Sequence, residues 1–230
     1  MSTPSLTTTS YAVLGLLAIK PWSSYELTQQ MDRSLGRVWP RATSKIYEEP
    51  KKLVAHGLAS PSTTRNGRRA RTVYTITEAG RRTLRDWLAQ PSTGPALEAE
   101  HLLKAFFADQ GSKADLLATL SGVSEWARAR CAESLAIGRQ YSEGNGPFPE
   151  RMAVLQLTSR FLTDFYILLD EWAAWAAGVA AGWPDEPGEA RHDPGVLAET
   201  TRRAADHAVK RADFQWQRLM TSQGTKGKNR

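Results

Sequence analysis

The chain has 230 residues, 23 % of them charged and 41 % hydrophobic, with 17 Gly and 12 Pro; collagen-like, fibrous and disordered classes are excluded. That length suits one large domain or two small ones, each able to bury a core. Charge is uneven: residues 1–90 hold 14 Lys/Arg against 6 Asp/Glu, whereas residues 91–230 hold 16 against 18, so the net charge of +6 comes entirely from the first part.

Taken in chain order, Thr8 or Thr9 can cap a first helix through Tyr11, Val13, Leu14, Leu16 and Leu17, ended by Lys20-Pro21. Ser23 or Ser24 can cap a second, with Tyr25, Leu27, Met31 and Leu35 on one face and Gly36 as its stop. Thr43 can cap a third through Ile46, Leu53 and Val54, closed by His56-Gly57. Pro50 lies inside it and removes a backbone donor, which predicts a kink. Residues 58–63 and 71–77 read as a hairpin around Arg65-Asn66-Gly67-Arg68-Arg69, since Asn-Gly suits a turn with positive φ. Thr77-Glu78-Ala79-Gly80 then opens a helix through Leu84, Trp87 and Leu88.

Two prolines and a glycine in Gln90-Pro91-Ser92-Thr93-Gly94-Pro95 mark a boundary. The expected organisation is a DNA-binding winged helix-turn-helix domain over residues 1–90, a helical dimerisation and effector domain over 91–222, and a disordered basic tail over 223–230. The second region reads as helices over 97–109, 113–141, 149–179 and 196–220. The third of these carries two apolar stripes, Phe161, Phe165, Leu168, Trp172, Trp175 and Val179 beside Leu155, Leu162, Tyr166 and Leu169. So wide a face calls for partners on two sides. The expected fold class is therefore mainly α with a small β-hairpin, the C-terminal helices being an antiparallel dimerisation unit.

Three helices followed by a basic hairpin follow the winged helix-turn-helix plan. A helix fits the major groove, and an arginine-rich hairpin tip can follow phosphates or enter the minor groove. The third helix supplies Arg41, Thr43, Ser44, Lys45, Tyr47 and Lys51 as candidate DNA contacts. The hairpin supplies Arg65, Asn66, Gly67, Arg68, Arg69 and Arg71. A solvated turn is the bland reading of the arginines; Lys51 and Lys52 can merely decorate a helix end, and Tyr47 equally fits a core position.

Several segments resemble one family. Thr9-Ser10-Tyr11-Ala12-Val13-Leu14-Gly15-Leu16-Leu17 is similar to the opening helix of PadR-type transcriptional regulators. Ser24-Tyr25-Glu26-Leu27, Ile46-Tyr47, the Leu53…His56-Gly57-Leu58 exit and Tyr74-Thr75-Ile76-Thr77-Glu78-Ala79-Gly80 follow in the family's order. The chain departs from it at Ser24, usually Gly, at Pro50, commonly aliphatic, and at Val54, commonly acidic. The resemblance implies a homodimeric transcription factor, most often a repressor, on a palindromic operator in double-stranded DNA. It implies C-terminal helices that wrap around a second subunit, and release by small phenolic or hydrophobic molecules.

Leu155, Phe161, Leu162, Leu168 and Leu169 are the candidate dimerisation residues, and Phe165, Trp172 and Trp175 the first candidates for an aromatic effector. Interface packing is the bland reading of these aromatics. No cofactor or metal is expected: the single Cys131 allows neither an intrachain disulfide nor a Cys-based cluster, and His56, His101, His192 and His207 lack ligand spacing. No nucleophile or paired-carboxylate signature points to an enzyme, so the alternative is a winged-helix protein-interaction module. The start lacks a basic and apolar leader, and the apolar run over 172–183 is too short for a bilayer; a soluble cytoplasmic protein without a membrane partner is expected.

Overall fold

Apolar periodicity and side-chain caps divide the chain as a computed structural model shows, described over residues 6–40, 43–66 and 69–212. Contacts gather into two units, Met1–Ala96 and Leu97–Arg230.

In the first unit, helix α1 (Thr8–Ile19) is capped one residue earlier than the sequence suggests. Thr7 accepts from the Ser10 amide at 3.2 Å, and Ser10 Oγ accepts from the Thr7 amide at 3.1 Å. Strand β1 (Trp22–Ser23) precedes α2 (Ser24–Gln30), whose cap is Ser23 with Glu26 reaching back to it. The predicted second helix is split: after α2 the backbone widens into a π-turn over Met31–Leu35, closed by the Gly36 amide on Met31 O at 2.7 Å. A Cβ on Gly36 would lie 2.8 Å from Asp32 O.

Helix α3 (Thr43–Ala55) runs through Pro50 as one element, with Ile46, Glu49, Pro50 and Leu53 buried. It ends in a Schellman turn: Leu58 N donates to Leu53 O at 2.8 Å and Gly57 N to Val54 O at 2.9 Å. Gly57 has φ +69°, which a glycine adopts without strain. Strands β2 (Ala59–Asn66) and β3 (Arg69–Ile76) pair antiparallel from Ala59↔Ile76 to Asn66↔Arg69. The short β1 adds to the other side of β3, through Trp22↔Tyr74 and Ser23↔Val73. The sheet order is β1-β3-β2, and Pro61 sits on edge strand β2, where a missing N–H is tolerated.

Helix α4 (Glu78–Leu88) starts at Thr77, whose hydroxyl accepts from Gly80 N at 3.0 Å and donates to Gly57 O at 2.8 Å. Trp87 stacks on Tyr11 with centroids 4.8 Å apart, tying α4 to α1. The core is Val13, Leu14, Leu17, Leu27, Met31 and Leu53.

The second unit is helical. Helix α5 (Glu100–Phe106) and a 3-10 turn (Ala108–Gln110) lead into α6 (Lys113–Ser142), capped by Ser112 and Asp115. Helix α7 (Met152–Ala181) returns antiparallel to α6: Trp126 meets Tyr166 edge-on at 5.5 Å, and Lys113 Nζ donates to Trp183 O at 2.8 Å. Leu116, Leu120 and Ala180 form a core joined by Leu117, Trp172 and Trp183. Asp170 accepts from the Ser124 hydroxyl and from Arg128 Nε at 3.1 Å. The Ser124 bond, with Arg128 behind it, holds the Asp170 carboxyl below its ordinary range. The acid therefore fastens α7 to α6.

The two stripes of α7 part company. Leu162 and Tyr166 turn inward, while Phe161 is 62 %, Leu168 54 % and Trp175 42 % exposed. Leu162 is thus spent inside one chain and Leu155 is half-buried. By length and composition the stretch Pro149–Ala181 can cross a membrane, with mean hydropathy 1.2 over its most apolar window. The sequence expectation weighed only the twelve residues beyond Glu171; the continuous helix adds Met152–Glu171 ahead of them. Helix α8 (Pro194–Ala212) presents its side chains to solvent from Leu197 to Val209.

Candidate functional site

The buried face of α3 determines which residues it displays. With Ile46, Glu49, Pro50 and Leu53 turned inward, the period of the helix leaves Ser44, Lys45, Tyr47, Glu48, Lys51 and Lys52 outward, and all six are exposed. Tyr47, 46 % exposed, is therefore a surface residue. Lys51 meets Glu48 at 3.1 Å and Lys52 meets Glu49 at 2.8 Å, so part of their charge is offset locally. Those carboxylates raise both ammonium pKa values.

Glu49 anchors this helix. Its Oε2 accepts from the buried Ser10 hydroxyl of α1 at 2.8 Å, and its Oε1 takes Lys52. No spacing in the sequence signals this bond across 39 residues. Ser10→Ala removes one partner of a carboxylate that is 4 % exposed and is expected to cost about 1–3 kcal/mol. A urea titration of the full chain measures it.

The hairpin is also tied to α2. Arg71 Nη1 donates to Glu26 Oε1 at 3.0 Å, while Glu26 Oε2 accepts from the Ser23 amide and hydroxyl, each at 2.9 Å. Arg71, a candidate DNA contact, thus braces β3 against α2 and keeps 48 % of its side chain exposed. Thr43, Arg65, Asn66 and Arg69 are placed by backbone only, Thr43 opening α3 and the others ending β2 and beginning β3. Arg41, Gly67 and Arg68 lie outside the described residues.

In the second unit a cleft of about 530 Å³ opens between residues 97–104 and the faces of α6 and α7. Phe165 lines it, as do Leu169, His101 and Trp126. Trp172 lies beside it against His101, with ring centroids 5.8 Å apart, whereas Trp175 is not among the lining residues. Burial lowers the His101 pKa, so the ring is neutral at neutral pH. Sequence reasoning missed His101 and Trp126 because the cleft is made by three segments meeting. Among the described residues no group of His, Cys, Asp and Glu is arranged to hold a metal ion.

Helices α1–α3, followed by the β2–β3 hairpin of a three-stranded sheet, define the first unit as a winged helix-turn-helix. Residues 13–86 match the transcriptional regulator PadR-like family. A curated relative, the negative transcriptional regulator PadR of Bacillus subtilis, is 37 % identical over 99 residues, covering 42 % of this chain and 54 % of the relative. The chain spans about half the length of the curated relatives it matches. Among solved structures, Bacillus subtilis PadR in complex with operator DNA superposes with TM-score 0.68 at 24 % identity, over 76 % of this chain and 99 % of that one. The same protein in complex with p-coumaric acid gives TM-score 0.62 at 23 % identity, over 76 % and 99 %. The fold is that of PadR, a winged helix followed by a helical region.

Proposed function

We propose that the protein is a DNA-binding transcriptional regulator of the cytoplasm, a repressor that acts as a homodimer on a palindromic operator and is released by a small apolar or phenolic molecule. The observation that carries this reading is the outward row Ser44, Lys45, Tyr47 and Lys51 on α3 of a PadR-like domain. Such a row has the dimensions and the donors to enter a major groove, while the arginines of the hairpin suit phosphates and the minor groove. The named relative is a negative regulator, and a similar fold has been solved with operator DNA.

A second copy of the chain is the occupant that fits the bare faces. Phe161, Leu168 and Trp175 lie open along α7, and α8 exposes Leu197 and Val209. The carboxylates that interrupt α7, Asp164 bound to Arg160 and Asp170 bound to Arg128, suit a protein interface better than lipid. Two subunits would carry two α3 helices to half-sites about one helical turn apart, or a multiple of it.

Fluorescence anisotropy with duplex DNA from upstream of the protein's own gene tests the reading. Lys45→Ala and Tyr47→Ala are each expected to weaken binding by about 10- to 100-fold, and Arg68→Ala with Arg69→Ala to weaken it across sequences. A wild-type chain that binds no duplex at low salt is instead a protein-interaction module.

A further inference from the structure

The cleft of the second unit joins an aromatic wall to one unmet polar group. Trp126 and Phe165 supply flat apolar surface, and His101 sits at the same opening. His101 Nε2 is shielded from water and has no hydrogen-bond partner. A buried polar atom without a partner costs free energy that an incoming group recovers. The charged groups at the cleft are Glu98, Glu100 and Lys104, and Lys104 is already paired with Glu100 at 3.0 Å. An anion entering there meets an unpaired carboxylate and no spare cation.

From these contacts we infer that the cleft binds an uncharged aromatic alcohol or phenol, its ring against Trp126 and Phe165 and its hydroxyl on His101, whose imidazole turns to bring Nε2 to the opening, and that it discriminates against aromatic carboxylates. The inference rests on the effector reading above and narrows it. A neutral imidazole offers one donor and one acceptor, and a hydroxyl, which both donates and accepts, serves either tautomer. A carboxylate only accepts, and its desolvation beside Glu98 is uncompensated.

Gly122 provides a clean block. It lines the cleft from α6, and a Cβ built on it meets nothing within 4 Å. Gly122→Leu therefore fills the ligand space while leaving the helix packing intact, and leucine favours the helix.

Isothermal titration calorimetry on the full chain at pH 7 compares 2-naphthol with 2-naphthoate, alongside anisotropy on duplex DNA. Naphthol is expected to bind at least about tenfold more tightly than naphthoate. His101→Ala should weaken naphthol about five- to tenfold, and Gly122→Leu should abolish binding with an unchanged circular dichroism spectrum. In the wild type, naphthol should also shift the imidazole ¹⁵N resonances of His101. Equal or tighter binding of naphthoate overturns the ligand class and leaves the effector reading standing. Naphthol binding that survives Gly122→Leu overturns the site. Binding of neither probe by a chain that holds duplex DNA overturns both cleft and effector, and the DNA-binding reading remains.

Discussion

Gly80→Ala is expected to destabilise the winged-helix unit by about 2–4 kcal/mol, although alanine is the better helix former. A Cβ on Gly80 would stand 2.2 Å from Leu58 O and 2.8 Å from Ile76 Cγ1. The first neighbour is backbone and is held: Leu58 O accepts from Thr77 N at 3.0 Å. Relief requires α4 to lift from β2, which strains the Thr77 cap on Gly80 and its bond to Gly57 O. The gain in helix propensity is at most about 1 kcal/mol, too little to offset overlap and lost bonds. Gly15 is the control, since a Cβ there meets nothing within 4 Å. Gly15→Ala should leave stability unchanged or raise it by up to about 1 kcal/mol. Urea titrations of the two variants, read as the midpoint of the transition reported by Trp22 and Trp87, should move in opposite directions or differ by the full cost. Matching curves would show that the Leu58 carbonyl yields freely.

Affinity for the operator should fall about a thousandfold or more between 50 and 200 mM salt if the dimer neutralises about 6–10 phosphates. All of the chain's net positive charge resides in residues 1–90, so the response belongs to that unit. The ion pairs lower the count of charges free to act: Lys51 is shared with Glu48 and Arg71 with Glu26. Glu48→Gln should therefore tighten DNA binding and steepen the salt slope by up to about one unit, as Lys51 is released to a phosphate. Anisotropy titrations at four salt concentrations measure both slopes. A flat wild-type slope would remove phosphate neutralisation from the mechanism.

Legibility in the sequence followed the range of the interaction. Ser23 as a cap, Gly57 as a helix exit and Thr77 as the start of α4 are local, and each was readable from a few residues. The two-residue strand β1 was not, because Trp22 and Ser23 become a strand only by meeting Tyr74 and Val73. Ser10 and Glu49 show nothing in their own surroundings of the bond that joins α1 to α3. On α7, the spacing revealed two apolar stripes and gave no sign of which one faces α6. The choice fell to the stripe of Leu162 and Tyr166, where Tyr166 meets Trp126 edge-on, so Phe161, Leu168 and Trp175 of the larger row are left outside, while its Phe165 lines the cleft and its Trp172 packs on the core. The cleft was half visible: Phe165 belongs to it, Trp175 does not, and His101 came from the helix over 97–109, where it was weighed only as a metal ligand.

Glu26 is one acid with two attachments. Its bond from the Ser23 amide, seconded by the Ser23 hydroxyl and Arg71, keeps its carboxyl below the usual range against the opposing effect of burial. Such a depressed acid contributes stability above its unfolded-state pKa, and the contribution vanishes as pH drops through the folded value. When that proton arrives, the start of α2 loses its lid and the hairpin loses its mooring in a single event. The two parts that flank α3 are thus governed by one titration, and acid would loosen both sides of that helix together.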